Sequence, residues 1–148
     1  MMSFYSPELE LYINIEMGNG TVKRLIFSRG PRGKEAKGRV IEDLKRYLNG
    51  EAVDFSKYSI SLSNLTSFER AVLLETRKIP FGVAISYSEL ASRMGTSGIR
   101  AVGNALAKNP VPIVIPCHRV VHKNGSLGGY KGGVKVKQKL LEIEGVNK

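Results

Sequence analysis

The stretch "ISYSELASRMGTSGIRAVGNALAKNPVPIVIPCHRVV", Ile85–Val121, holds two short helix-like segments, a glycine-containing turn and then the chain's single cysteine. In "ISYSELASRMG", Ser86 or Ser88 can cap the first turn of a helix and Gly95 ends it. Thr96 or Ser97 then opens "GIRAVGNALAKN", which stops at Asn109-Pro110 because proline cannot continue a helix. Two short helices joined in this way, the second basic at its start, have the layout of a helix-turn-helix; an ordinary packed helix pair is the other reading. Ala101, Gly103, Ala105 and Ala107 give the second helix few large side chains. That suits a backbone brought close to another surface, with Arg100 at its leading edge.

Beyond that helix, "VPIVIPCHRV" (Val111–Val120) sets Cys117 beside His118, one of only two histidines in the chain. One cysteine cannot form an internal disulfide, and one Cys with two His falls short of a four-ligand structural zinc set unless carboxylates or a second chain join in, so the expected site holds no metal and no cofactor is anticipated. Cys117 is therefore a core filler or a reagent. A free thiol with a pKa near 8.5 is only about 3% thiolate at pH 7, so a reagent needs a base or a positive field. Neighbouring side chains on a strand point to opposite faces, so Cys117 and His118 can cooperate only if the chain turns just after Pro116. A general base also needs an orienting group, and Glu144 on the last helix is the natural acid; a hydrogen-bonded structural imidazole is the alternative for His118.

The chain outside this stretch sets the context. Its 148 residues, 42% of them hydrophobic, suffice for a real core in one unit or two small ones. The first residues resemble no signal peptide, and no run approaches the ~18 apolar residues of a membrane span, so the expected location is cytoplasmic or nucleoid-associated, with no membrane partner. "LELYINIEMGNGTVKRLIFS" (Leu9–Ser28) alternates apolar and polar residues on both sides of Gly18-Asn19-Gly20, which predicts a hairpin. "RGPRGKEAKG" reads as a basic, glycine-rich loop, and Val40, Ile41, Leu44, Tyr47 and Leu48 recur at helical spacing up to Asn49-Gly50. "AVDFSKYSISLSNLT" is extended or short strand. "FERAVLLETRKI", capped by Thr66 or Ser67, forms a helix that Pro80-Phe81-Gly82 closes. Near the end, Asn124-Gly125 and Gly128-Gly129 mark a turn or wing, and Val134 to Glu144 forms a final helix with Leu140, Leu141 and Ile143 inward and its lysines outward. The predicted class is α+β, with a sheet-and-helix domain over residues 1–62 and a helical, winged helix-turn-helix-like domain over 63–148.

The net charge of +10 is uneven: residues 1–62 carry ten Lys/Arg against eight Asp/Glu, and residues 63–148 thirteen against five. A polyanion would bind the second half, and nucleic acid is the leading candidate; solvated charge or an acidic membrane surface gives the same composition.

"IPCHRVV" (Ile115–Val121) resembles the active-site signature of the O6-alkylguanine-DNA alkyltransferases, the methylated-DNA-[protein]-cysteine S-methyltransferases. The likeness extends from "IPFGVAISYSELA" through "RAVGNALAKNPVPIVIPCHRVV" to "GSLGGYKGGVKVKQKLLEIEG", about residues 79 to 145 in order and spacing. It implies a ribonuclease-H-like N-terminal domain, a minor-groove helix-turn-helix, and a monomer acting on double-stranded DNA that contains O6-alkylguanine. By the same resemblance Cys117 accepts the alkyl group in line and is consumed. His118 deprotonates it through a water, Glu144 orients His118, and Asn109 holds the turn that carries the sulfur. Tyr87 presses on the phosphate 3′ to the lesion, and Arg100 fills the gap left by the flipped base, with Ala101 and Gly103 against the DNA. Tyr130 lies against the extruded guanine, while Val120, Lys131 and Pro112 complete the base pocket. Lys131 departs from the small residue common there.

Two rivals remain. An alkyltransferase-like protein would bind lesions without transfer, but that group lacks the reactive cysteine. A Cys-His-acid hydrolase would turn over repeatedly and has no use for Arg100 on its helix.

Overall fold

The computed structural model describes residues 1–146. The hairpin forms as its sequence demands: β2 (Leu11–Gly18) and β3 (Thr21–Ser28) pair antiparallel around the two-residue turn Asn19-Gly20. Both turn residues take positive φ, 52° and 77°, as the tight hairpin turn requires. The sheet is larger than the alternation reveals. An additional strand, β1 (Met2–Ser6), pairs antiparallel with β2; the basic loop supplies β4 (Lys34–Glu35), parallel to β1; and β5 (Ser59–Ile60) pairs parallel with β3. The order is β4-β1-β2-β3-β5. β1 escapes a hydrophobic reading because its covered positions are Ser3 and Ser6, while Tyr5 is exposed.

The loop between β3 and β4 is not simply solvated. Buried Asn14 accepts hydrogen bonds from the Arg32 N–H and the Ser3 hydroxyl, and donates to Ile26 O and Ser28 Oγ, which ties the loop to the sheet. Helix α1 (Arg39–Leu48) follows and buries Val40, Ile41, Leu44, Tyr47 and Leu48, the face its spacing predicts.

The second half consists of short helices. Thr66 caps α2 (Ser67–Thr76) in a reciprocal capping box with Glu69, which decides between the two candidate caps. A two-residue strand β6 (Ile85–Ser86) leads into α3 (Tyr87–Arg93), capped by Ser86 rather than Ser88. Helix α4 (Ile99–Leu106) has no side-chain cap: neither Thr96 nor Ser97 serves, since Gly98 holds the cap position and the Thr96 hydroxyl accepts from its N–H, before the helix begins. After β7 (Val120–Val121), parallel to β6, residues 122–126 close a hydrogen-bonded turn, and no strand-built wing follows among the described residues. The last helix is α5 (Val134–Ile143). Its lysines are not all outward: Lys137 is fully buried, on the same face as Leu141 and Glu144.

One hydrophobic cluster runs from Leu9 and Ile13 in the sheet through Tyr47 and Leu73 to Ile115 and Leu140, so the halves share a core. The Leu25 N–H on β3 donates to Pro110 O at 2.9 Å, and the Arg77 guanidinium on the α2 end reaches the carbonyls of Phe55 and Tyr58. The sheet thereby braces the 109–116 segment that precedes Cys117. The last two residues of the 63–148 segment lie outside the described ones.

Candidate active site

The segment between α4 and β7 shows how the sulfur is presented. Residues 110–116 contain Pro110, Pro112 and Pro116, so they cannot form a helix. The chain bends sharply, with Pro112 bridging Ile115 and Ile113 held at φ 75°. A β-branched residue in that region is strained and persists only because its surroundings fix it. Asn109 does much of the fixing. Its Oδ1 accepts from the Val111 N–H at 2.9 Å, and its Nδ2 donates to Ile115 O at 2.9 Å and to Cys117 Sγ at 3.2 Å. Pro116 then starts a single 3-10 turn, Cys117–Arg119, the turn that the Cys117–His118 pair requires.

Behind the sulfur lies a buried polar array. His118 Nε2 and Glu144 Oε2 are 2.6 Å apart, and both side chains are fully covered. Arg119 donates from Nε to Glu144 Oε1 at 2.9 Å and from Nη2 to Oε2 at 3.0 Å, with Nη1 on Ile79 O. The Gly82 N–H adds a bond to Oε1 at 2.9 Å, and the Tyr47 hydroxyl donates to Oε2 at 2.5 Å. Burial alone would push the Glu144 carboxyl up, but His118 and Arg119 outweigh it and hold the group down at about 2. Glu144 is therefore ionised at neutral pH. Burial pushes His118 below its ordinary value, against the pull of Glu144, so the imidazole is neutral there. A neutral ring that donates from Nε2 leaves Nδ1 as the acceptor, and Nδ1 has no partner among the described residues. Burial raises the Cys117 thiol, while the Asn109 amide, Lys137 and Lys131 pull it the other way. The sulfur rests as a thiol.

In front of the sulfur is a cavity of about 580 Å³ lined by Tyr87, Arg100, Gly103, Cys117, His122, Tyr130 and Lys131 among others. Gly128, at φ 78°, lets the 127–131 segment close one wall: a Cβ there would sit 2.6 Å from the Tyr87 hydroxyl oxygen. The buried Tyr130 hydroxyl has no hydrogen-bond partner among the described residues. Arg100 is exposed at the N-terminal end of α4, next to exposed Ala101 and half-buried Gly103, whereas Ala105 is buried in the core and unavailable to any outside surface. Val120 and Pro112 do not line the cavity; both are buried, Val120 pairing with Ile85 across β6 and β7.

Several contributors went unassigned in the sequence reading. Arg119 stands inside "IPCHRVV", where a cation in an apolar run signals a buried partner. Lys137, seven residues before Glu144, shares its helical face and donates to Leu127 O and Gly129 O across the cavity wall. His122 stacks on Tyr87 with ring centres 4.8 Å apart, and only its alternation with Val121 hinted at exposure. Tyr47 showed no signal beyond its place on an apolar face.

A short helix pair thus exposes small residues and an arginine beside a cavity that holds a single thiol on a strained turn, next to a buried His–Glu–Arg array, the combination expected of a protein whose cysteine acts on a bound partner. Residues 67–146 match the family described as 6-O-methylguanine DNA methyltransferase, DNA binding domain. The chain is 40% identical over 144 residues to the methylated-DNA–protein-cysteine methyltransferase of Archaeoglobus fulgidus, covering 93% of this chain and 95% of that one. The Methanothermobacter thermautotrophicus protein of the same name is 44% identical over 109 residues, 74% of this chain, and the matched part spans only 61% of its length. The fold superposes on the crystal structure of Mycobacterium tuberculosis OGT in complex with DNA with a TM-score of 0.81 at 30% identity, covering 97% of this chain and 91% of that one. The chain belongs to the methylated-DNA–protein-cysteine methyltransferase family. Its α+β fold, a small sheet with one helix followed by a helical half, is that of the family's structures. No helix among the described residues is long and apolar enough to cross a membrane.

Proposed function

We propose that this protein repairs alkylated duplex DNA by moving the alkyl group from guanine O6 to Cys117 Sγ, once per molecule. The observation that carries the reading is the position of Cys117. It lines a cavity and opens the 3-10 turn whose next residue is the buried His118, with the Asn109 amide donating to the sulfur at 3.2 Å. The thiol proton leaves through a water to His118 Nδ1, and the resulting imidazolium is balanced by Glu144 at 2.6 Å. The sulfur attacks the alkyl carbon as the carbon–O6 bond breaks, and guanine takes a proton in exchange. A thioether is a poor leaving group, so the product is final.

Access demands base flipping, because a stacked guanine shows its O6 to no side chain. The α4 surface suits a minor-groove approach: Ala101 and Gly103 let the backbone come near, and Arg100 fills the vacated stack. Tyr87 contacts the flanking phosphate, while Tyr130 and Lys131 face the extruded base. The eight excess positive charges of residues 63–148 favour duplex binding that weakens as salt rises. Lesion binding without transfer has no observation in its favour, since Cys117 is present with a donor and a base at hand.

The test is mass spectrometry of the Cys117 peptide after incubation with O6-methylguanine duplex. One methyl per protein, lost in Cys117→Ala with duplex affinity kept within a few-fold, is the expected result. No modification points to a lesion binder, and repeated turnover to a hydrolase.

A further inference from the structure

The array around Glu144 is completed by a residue from the other half of the chain, outside the family-matched segment. Tyr47 on α1 is fully buried, edge-on to Phe55 and Phe81. Its hydroxyl lies 2.5 Å from Glu144 Oε2 and 3.1 Å from His118 Nε2. Packing alone does not require the hydroxyl, because phenylalanine would fill the same space. A buried phenol without partners costs stability, whereas this one is spent on the acid that holds the base.

We propose that Tyr47 is a positioning residue for alkyl transfer: by donating to Glu144 Oε2 it shares the carboxylate with His118 and holds His118 in the Nε2–H form with Nδ1 toward the thiol. The inference rests on the transfer reading above. Its physics is a competition for one oxygen. Oε2 takes the His118 and Tyr47 protons and one from Arg119 Nη2, and each donor reduces how strongly the carboxylate pulls on the others. With the phenol proton gone, Oε2 draws harder on His118 Nε2–H, and the ring takes a second proton at Nδ1 more readily. A base already protonated cannot accept the thiol proton. The other groups facing His118 are Arg119 on its own turn, Lys137 on α5, and Cys117 and Tyr130, whose ring centre is 6.4 Å away. The cations oppose protonation, and Tyr47→Phe leaves them unchanged. The N-terminal half thus tunes the site rather than only supporting it.

Two measurements on Tyr47→Phe decide the matter. The first is the rate of Cys117 alkylation by free O6-benzylguanine across pH, which needs no DNA contact. The expected result is one equivalent transferred and an acid limb moved up by roughly half a unit to one unit, the effect of about one net hydrogen bond, so that the rate well down that limb falls roughly three- to ten-fold. The second is nitrogen-15 NMR of histidine-labelled protein, where His118 should titrate at higher pH in the variant; this readout does not depend on transfer. Phe55→Leu, which loosens the same packing without touching Glu144, should lower the melting temperature and leave both profiles in place. A Tyr47→Phe protein with wild-type profiles, or with only a lower melting temperature, overturns the inference. Failure of the wild-type protein to react, with His118 still shifted by Tyr47→Phe, instead overturns the transfer reading and confines Tyr47 to setting the His118 proton.

Discussion

Two buried carboxylates in this molecule have nearly the same surroundings. Asp43 on α1 accepts a tyrosine hydroxyl (Tyr58, 2.5 Å), an arginine (Arg46, 3.0 Å) and a lysine (Lys57, 3.0 Å). Glu144, just past α5, accepts a tyrosine hydroxyl (Tyr47, 2.5 Å), an arginine (Arg119, 2.9 Å) and a histidine (His118, 2.6 Å). Both are held below the ordinary carboxylate range. The difference lies in their partners' access to water. Arg46 and Lys57 are about half exposed, while Arg119 is 7% exposed and His118 not at all. A carboxylate with solvated partners fastens a helix to its neighbour; one with dry partners can fix the proton on a base beside a nucleophile.

The largest expected effect comes from removing the dry charge. Glu144→Gln leaves Arg119 buried without its counter-charge, a loss of about 3–5 kcal/mol. It also frees His118 to change tautomer, which should slow transfer on the order of 10²-fold. Urea melts and single-turnover alkylation measure the two. A mild loss in both would place Glu144 with Asp43 as a simple fastener.

Acid should separate the sites next. Glu144 has a folded-state value of about 2, against roughly 4.3 when unfolded. A lowered carboxyl stabilises the fold above its unfolded value and loses that contribution as pH falls through the folded one. His118, lowered by burial, has the same sign from about pH 6.5 downward. Stability should fall steadily from pH 7 to pH 2, with about 3 kcal/mol traceable to Glu144 and absent in Glu144→Gln. A melting temperature flat over that range would contradict the buried, ionised assignment.

Much of this was legible from residue patterns alone. The helix pair around Gly95 and the need for a turn after Pro116 follow from local rules, because prolines, glycines and helical period act over a few residues, whereas the grouping of Cys117 and His118 with Glu144 rests on the family resemblance, since spacing alone ties no acid to His118. What escaped was set by long-range packing. Tyr47 joins Glu144 across 97 residues, and nothing local distinguishes it from Leu44 or Leu48. Ser3 and Ser6 occupy buried places on β1 that a hydrophobic reading gives to apolar side chains. Ala105 and Lys137 were misplaced for opposite reasons: a small residue is compatible with any surface, and a lysine is assumed to seek water until its carbonyl partners are seen.

Reaction itself should perturb only the dry site. The cavity beside Cys117 has room for a methyl group, so crowding is modest, but the Asn109 amide loses a good acceptor when the sulfur becomes a thioether. That is worth about 1 kcal/mol, or roughly 3–4 °C in melting temperature for a chain of this length. A drop of this size after methyl transfer from O6-methylguanine duplex and removal of the DNA, missing in Cys117→Ala and undiminished in Asp43→Asn, is the expected pattern. An unchanged melting point would mean that Asn109 holds the turn through Ile115 and Val111 alone.

The smallest effect belongs to Asp43→Asn. The substitution keeps an oxygen for the Tyr58 hydroxyl and removes only the charge. Arg46 still has Glu51 at 3.1 Å, and Lys57 faces water, so neither cation is stranded. Ion pairs with exposed partners contribute little once solvent screens them, so the cost should stay below about 1 kcal/mol. Whatever remains should fade as salt rises to 1 M, where the screening length shrinks to about 3 Å. The alkylation rate should equal that of the unaltered protein, because among the described residues Asp43 shares no hydrogen bond or ion pair with Tyr47, His118 or Glu144, and Tyr58 reaches Tyr47 only through ring contacts with Phe55. If Asp43→Asn instead slows transfer, α1 is carrying the loss to Tyr47 four residues on, and the two carboxylates form one coupled system rather than two separate ones.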